Sequence, residues 1–241
     1  MAPGWRRNPG QYLKHVKGDI PFFGLPQLTA ILDITCADGS LVRIQTDDTW
    51  QCRQGPIVSS HLFDGETYDA RLENTLQPDE PCRIVPAPGA QTLLCPQALE
   101  PIRVHRTYRP IALHAAGGGT VFDLGQTIAG VCEIRLRPGL PEGVEIRLTH
   151  AEELDESGDL YTAPLRGARA EDCYITGAPA KEPVCWSPSF TYHGFRYLEL
   201  TGLASPPKQD DVVAVTIENE HGSYQFDKDG DEWSAKFKKA K

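Results

Sequence analysis

The densest run of side chains able to do chemistry is His150-Ala-Glu152-Glu153-Leu-Asp155-Glu156. A carboxylate pair is what hydrolysis of a glycosidic bond requires. One acid protonates the leaving oxygen and one base activates water, from opposite sides of the sugar. Neighbours in one short segment do not face each other in that way. On an extended chain Glu152 and Glu153 point to opposite faces. A solvated loop is therefore the preferred reading. A metal site built from His150 with Glu152 or Asp155 is also poorly supported, because the usual histidine-pair spacing is missing.

Other motifs fail on spacing. Asp227-Lys-Asp229-Gly-Asp231-Glu232 resembles the start of a calcium loop. Such a loop needs Gly at its sixth position and Glu at its twelfth, where this chain has Glu232 and Lys238. There is no G-x-S-x-G nucleophile elbow. Phe122-Asp-Leu-Gly-Gln126 lacks the phosphate-loop spacing, and no helical pattern follows it. Phe63-Asp64-Gly65-Glu66-Thr67-Tyr68-Asp69-Ala70-Arg71 is dense in acids, and suits either a hydroxyl-binding loop or an internally paired surface loop. Chemistry alone favours the second. Tyr192, His193 and Arg196 are polar candidates at a sheet end, whereas Phe195 and Tyr197 read as core.

These residues need elements to hold them, and the elements read as strands. Apolar residues alternate at positions 28, 30, 32, 34 and 36, the period of a half-buried strand. Ala37-Asp-Gly-Ser40 turns the chain into a returning strand over 41–46. Trp50 is expected to plug a core at a strand end. Strands are expected at 102–108 and 111–114, broken at Arg109-Pro110. Alternation over 132–137 and again over 144–149, joined by Pro138-Gly-Leu-Pro-Glu-Gly143, predicts a second hairpin. Gly194 marks a bulge before the strand that follows it. Residues 77–101 carry six prolines and read as a semi-rigid connection. No sustained helical stripe is present, so helices should be few.

The bulk composition sets outer bounds. The 241 residues have room for one large or two small β-domains. With 22 Gly and 20 Pro spread along the chain, many short strands and turns are expected. A net charge of −9 argues against a nucleic-acid partner. The seven cysteines are widely spaced, without C-x-x-C, so neither a zinc site nor a disulfide framework is indicated. No apolar leader and no membrane-length apolar run is seen, and a cytoplasmic location is expected.

Four segments, in order, carry a resemblance. Phe122-Asp-Leu-Gly-Gln-Thr-Ile-Ala-Gly130, His150-Ala-Glu-Glu-Leu-Asp-Glu-Ser-Gly-Asp-Leu-Tyr161, Leu165-Arg-Gly-Ala-Arg-Ala-Glu-Asp-Cys-Tyr174 and Phe190-Thr-Tyr-His-Gly-Phe-Arg-Tyr197 resemble segments of the bacterial-type α-L-rhamnosidases. Asp38-Gly39, Asp47-x-x-Trp50 and Asp64-Gly-Glu-x-Tyr68-Asp-Ala-Arg71 resemble the end of that family's N-terminal β-sandwich, and Ala2-Pro-Gly-Trp5 a strand end within it. The chain departs from the pattern at Gln126-Thr127 and from Lys228 onward. The resemblance implies an all-β fold: a partial jelly-roll-like accessory sandwich over 1–100, a concanavalin-like sandwich over 101–222, and a charged tail over 223–241.

The family's catalytic carboxylates lie on an (α/α)6 barrel with no counterpart here. No catalytic residue carries over, and this chain alone is expected to be inactive. The expected function is therefore the non-catalytic β-domain portion of an inverting α-L-rhamnosidase-like hydrolase. The alternatives are a stand-alone rhamnose-binding module and a structural subunit completing a barrel encoded elsewhere. The expected partners are a rhamnose-containing glycoside or polysaccharide and a separate catalytic barrel, with no nucleic acid, membrane, cofactor or metal. Asp64, Glu66, Tyr68 and His193 are chosen as carbohydrate contacts on chemistry and loop position.

Overall fold

The computed structural model describes residues 28–73, 80–85, 101–219, 223–229 and 232–238. The expectations for 1–27, and for most of the proline-rich connection, lie outside these residues. Those described are almost all strand, turn and loop, with no α-helix among them.

The first strands are β1 (Ile31–Thr35), β2 (Leu41–Gln45), β3 (Gln51–Cys52), β4 (Ile57–His61), β5 (Gly65–Asp69) and β6 (Glu80–Pro81). After the connection come β7 (Ile102–Tyr108), β8 (Ala112–Ala116), the long β9 (Gly119–Leu136) and β10 (Glu145–Ala151). Two short strands follow, β11 (Glu153–Leu154) and β12 (Leu160–Tyr161), then β13 (Glu171–Ile175), β14 (Val184–Trp186), β15 (His193–Thr201) and β16 (Val212–Asn219). The chain closes on β17 (Ser223–Asp229) and β18 (Glu232–Lys238).

β1 and β2 pair antiparallel, as the turn chemistry predicts, with Gly39 at φ +84° in the turn. The expected half-burial is corrected. Every residue of both strands is exposed, Ile31 to 64% and Leu32 to 54%. Alternation gives such a strand a face to bury, but this two-stranded sheet has no third strand among the described residues. Trp50 is corrected in the same way. It is 37% exposed, and its indole N–H donates to the Gln45 carbonyl at 3.1 Å.

The main sheet has ten strands, with the path β4-β5-β13-β10-β15-β9-β16-β7 and with β8 and β14 added along β9. β9 serves several neighbours because it is long and broken. Its residues 120–123 pair with β15 on one side and β8 on the other. Its residues 130–134 pair with β16, and 134–136 with β14. Between them, Arg196 of β15 stands opposite residues 124–127, and Gly125 takes φ +80° there. The irregularity expected at Gly194 thus falls at Arg196.

The expected hairpin between 132–137 and 144–149 does not form. Both segments are strands, but β10 pairs with β13 and β15, and β15 lies between β10 and β9. Alternation fixes which side chains face inward; it does not choose the neighbouring strand. The expected charged tail carries the β17–β18 hairpin.

The core lies inside this sheet. Phe122, Cys132 and Ile134 of β9, Ile146 and Leu148 of β10, and Phe195 and Leu198 of β15 are fully buried. Each such apolar side chain contributes about 1.5–3 kcal/mol relative to exposure. Tyr68, Tyr174 and Trp186 pack together at one end, with ring centroids 5.3–6.0 Å apart.

Candidate functional site

The polar side chains converge where β5 meets β13. The two strands run parallel, Thr67 opposite Cys173 and Tyr68 opposite Tyr174. Gly65 opens β5 at φ +98°, and a Cβ there would lie 1.9 Å from the Glu171 carbonyl oxygen. Only glycine lets the two backbones approach so closely. The turn before β5 is tied down by Ala170 N–H donating to Phe63 O at 2.9 Å and by Glu171 N–H donating to Asp64 O at 3.2 Å.

Ala170 has φ +46°, a left-handed conformation unusual for a residue with a side chain. It aims one carbonyl at His150. That oxygen accepts from His150 N–H at 3.0 Å and lies 2.8 Å from His150 Nδ1. A carbonyl only accepts, so Nδ1 carries the proton and Nε2 presents a lone pair. His150 is fully buried, and its Nε2 has no hydrogen-bond partner. Burial, with help from His193, depresses its pKa to about 4, so the ring is neutral near pH 7.

Asp172, also fully buried, sits beside it on β13. Its Oδ1 accepts the Glu66 backbone N–H at 2.9 Å. His193 Nε2, on β15, is 3.2 Å from both carboxylate oxygens. His150 Nε2 is 3.9 Å from Oδ2. The two imidazoles stack 4.2 Å apart, and Phe195 meets His150 edge-on at 4.7 Å.

Glu66 turns the other way. Its carboxylate accepts Ser189 N–H at 3.1 and 3.2 Å and Phe190 N–H at 2.9 Å. Burial raises its pKa while these bonds oppose the rise. Ser60 Oγ donating to Phe190 O and Thr191 Oγ1 donating to His61 O complete the clasp on β4.

Three of the four residues chosen from the sequence meet here. Glu66 and His193 face inward, and Asp64 lies at the rim, its side chain 26% exposed and 3.6 Å from His61 Nδ1. Tyr68 does not join them. It packs on Tyr174 and Trp186, donates to Glu73 at 3.0 Å, and has its pKa pushed up to about 12, chiefly by burial. Asp172 was not singled out, although an acid in strand phase with Tyr174 was the signal for it. Glu152 and Glu153 are exposed, as a solvated loop requires.

A second cluster lies at the irregularity in β9. Arg196 grips Asp123 through two bonds of 2.8 and 2.9 Å, and Asp123 also accepts Gly125 N–H at 2.7 Å. Arg196 holds the Asp123 pKa below the usual carboxylate range. A surface depression of about 450 Å³ is lined by Arg109, Glu133, Arg135, Cys185, Asp210 and Asp211, with no aromatic side chain among them.

Comparison with known proteins agrees with this architecture. Residues 2–106 match the alpha-L-rhamnosidase N-terminal domain, and residues 113–218 match the bacterial alpha-L-rhamnosidase concanavalin-like domain. An alpha-L-rhamnosidase of Streptomyces avermitilis is 36% identical over 88% of this chain and 21% of its own length. One from Formosa agariphila is 35% identical over 93% of this chain and 25% of its own. The solved S. avermitilis alpha-L-rhamnosidase complexed with L-rhamnose superposes with a TM-score of 0.78 at 31% identity, covering 93% of this chain and 22% of that one. The alpha-L-rhamnosidase from Dictyoglumus thermophilum gives 0.75 at 31% identity, covering 85% and 24%. The chain thus spans a quarter or less of the curated relatives it matches. With both regions matched in order, and with the all-β fold to go with them, the chain belongs to the bacterial α-L-rhamnosidase family and carries its N-terminal and concanavalin-like domains.

Proposed function

We propose that this chain is the non-catalytic β-domain portion of an α-L-rhamnosidase-like glycoside hydrolase. The whole enzyme would remove terminal α-L-rhamnose from glycosides or polysaccharides with inversion, on a catalytic barrel outside these residues. The observation that supports this reading most directly is the state of the buried acids. Glu66 and Asp172 are both fully buried, and their oxygens bond to backbone amides and to His193. An inverting pair must instead flank a sugar and a water, with about 6.5–9.5 Å between the carboxyl groups. The clasp built on Glu66 and Asp172 serves to fasten the β4–β5 turn to the main sheet.

One feature favours a carbohydrate contact at the rim. Phe63, beside Asp64 in the chain, is 43% exposed, and Phe190, whose N–H donates to Glu66, is 56% exposed. Aromatic faces beside a partly exposed carboxylate suit a sugar, with the ring face stacked and hydroxyls donating to the acid. Of the four residues chosen from the sequence, Asp64 is the best placed for such a contact.

The test is paired. The purified chain is assayed on an aryl α-L-rhamnoside and titrated with L-rhamnose by NMR. No turnover is expected. Saturable shifts confined to the Asp64 loop would establish the rhamnose-binding reading, and a dispersed spectrum that ignores the sugar would leave a purely structural role. Turnover that tracks the purified chain would overturn the proposal.

A further inference from the structure

We propose that His150, Asp172 and His193 form a buried site for one divalent transition ion of the zinc type. The three residues come from β10, β13 and β15, adjacent strands of the main sheet. All are at least nine-tenths buried, and their donor atoms lie within 4.8 Å of one another.

The orphaned atom points to a cation. Ala170 O fixes the His150 proton on Nδ1, which leaves Nε2 as a bare lone pair in a dry interior. That lone pair is 3.9 Å from the Asp172 carboxylate, another acceptor. Two acceptors facing each other repel, and a buried acceptor left unmet is destabilising. A cation between them satisfies both.

The donor set fits as well. Two imidazoles and a carboxylate are borderline ligands that suit zinc. In a tetrahedral site with bonds of about 2.0–2.1 Å, neighbouring donors sit about 3.3–3.4 Å apart. His193 Nε2 and Asp172 are already at 3.2 Å. His150 needs to close on Asp172 by roughly half an ångström, and the two imidazoles, now stacked 4.2 Å apart, must tilt so that both lone pairs meet the ion. His193 binds through Nε2 as the neutral imidazole, its proton shifted to Nδ1, because the ligating nitrogen must be bare.

The outer shell is also in place. Ala170 O holds the far nitrogen of His150, and Glu66 N–H holds the Asp172 oxygen. Such partners orient ligands at protein metal sites. Sequence spacing hid this set, because His150, Asp172 and His193 lie 22 and 21 residues apart and show no ligand motif. The expectation of no metal rested on near neighbours of His150, which the fold does not bring together.

The test loads the ion during folding, since the site is closed. The 241-residue chain is expressed without a histidine tag in zinc-supplemented medium and purified without chelator. Metal content is read by plasma mass spectrometry, and the shell by zinc-edge X-ray absorption. The expected result is about one zinc per chain, bound by two imidazoles and oxygen. His150→Phe should lower the zinc content at least about tenfold, while the exposed His114→Gln should leave it unchanged. A folded wild-type chain with under about a tenth of an equivalent would mean a hydrogen-bonded His–Asp pair only, and overturn the site. Undiminished zinc in His150→Phe would do the same. Should that variant fail to fold, the absorption spectrum of the wild type decides, and a shell without imidazole rejects the assignment.

Discussion

At the residue scale, charge pairing at Asp123 carries a pH signature. Its carboxylate accepts two bonds from Arg196, which hold its pKa below the ordinary value. A depressed carboxylate stabilises the fold above its unfolded pKa, about 3.9, and that contribution fades as pH falls through the lower folded value. Both side chains are partly exposed, so solvent discounts the pair to about 1 kcal/mol. Asp123→Asn should therefore unfold at lower urea than wild type at pH 7, and the gap should shrink below pH 4. A gap that stays constant from pH 7 to pH 3 would remove the charge from the account. The residue scale is also where the sequence was least informative about the site. Glu66 and His193 were recognisable as polar residues in unusual places. Nothing in their local spacing showed that Asp172 binds one's backbone and the other's ring.

At the element scale, the parallel pairing of β5 with β13 depends on Gly65. A methyl group there meets the Glu171 carbonyl at 1.9 Å, and the residue must also keep a positive φ. Gly65→Ala should destabilise the chain by about 3 kcal/mol or more, through steric clash and strain together. Hydrogen exchange should quicken first in β4, β5 and the 187–191 loop. Uniform protection with an unchanged urea midpoint would show that the approach is looser than described. Most strands were legible from their two-residue period, including the break at Arg109-Pro110 between β7 and β8. Their neighbours were not. Residues 132–137 and 144–149 read as a hairpin because turn residues join them, yet β15, half a hundred residues further on, comes between. Local pattern carries the phase of a strand, and only the assembled core decides its partner.

At the scale of the whole molecule, apolar surface is unevenly placed. Ile102 and Val104 are 60% and 64% exposed on β7, which among the described residues is the edge of the main sheet. Edges of this kind invite association. Replacing both by Thr keeps β-branching, so stability should change by no more than about 0.5 kcal/mol, while dye binding and concentration-dependent aggregation fall. A loss of several degrees in melting temperature would instead mean that these side chains are packed in solution.

The junction of β5 with β13 bears on how enzymes of this family can be recombined. β4 and β5 belong to the stretch matched as the N-terminal domain, residues 2–106, but they form the outer rows of the sheet to which residues 113–218 supply most of the strands. A chimera spliced from two parents at residues 107–112 looks like an exchange of whole modules. In space it sets a β5 from one parent against a β13 from the other, with the glycine contact, the Glu66 clasp and the Asp172 bond all crossing the graft. Parents must therefore be matched across that seam, and a splice upstream of β4 keeps the seam within a single lineage.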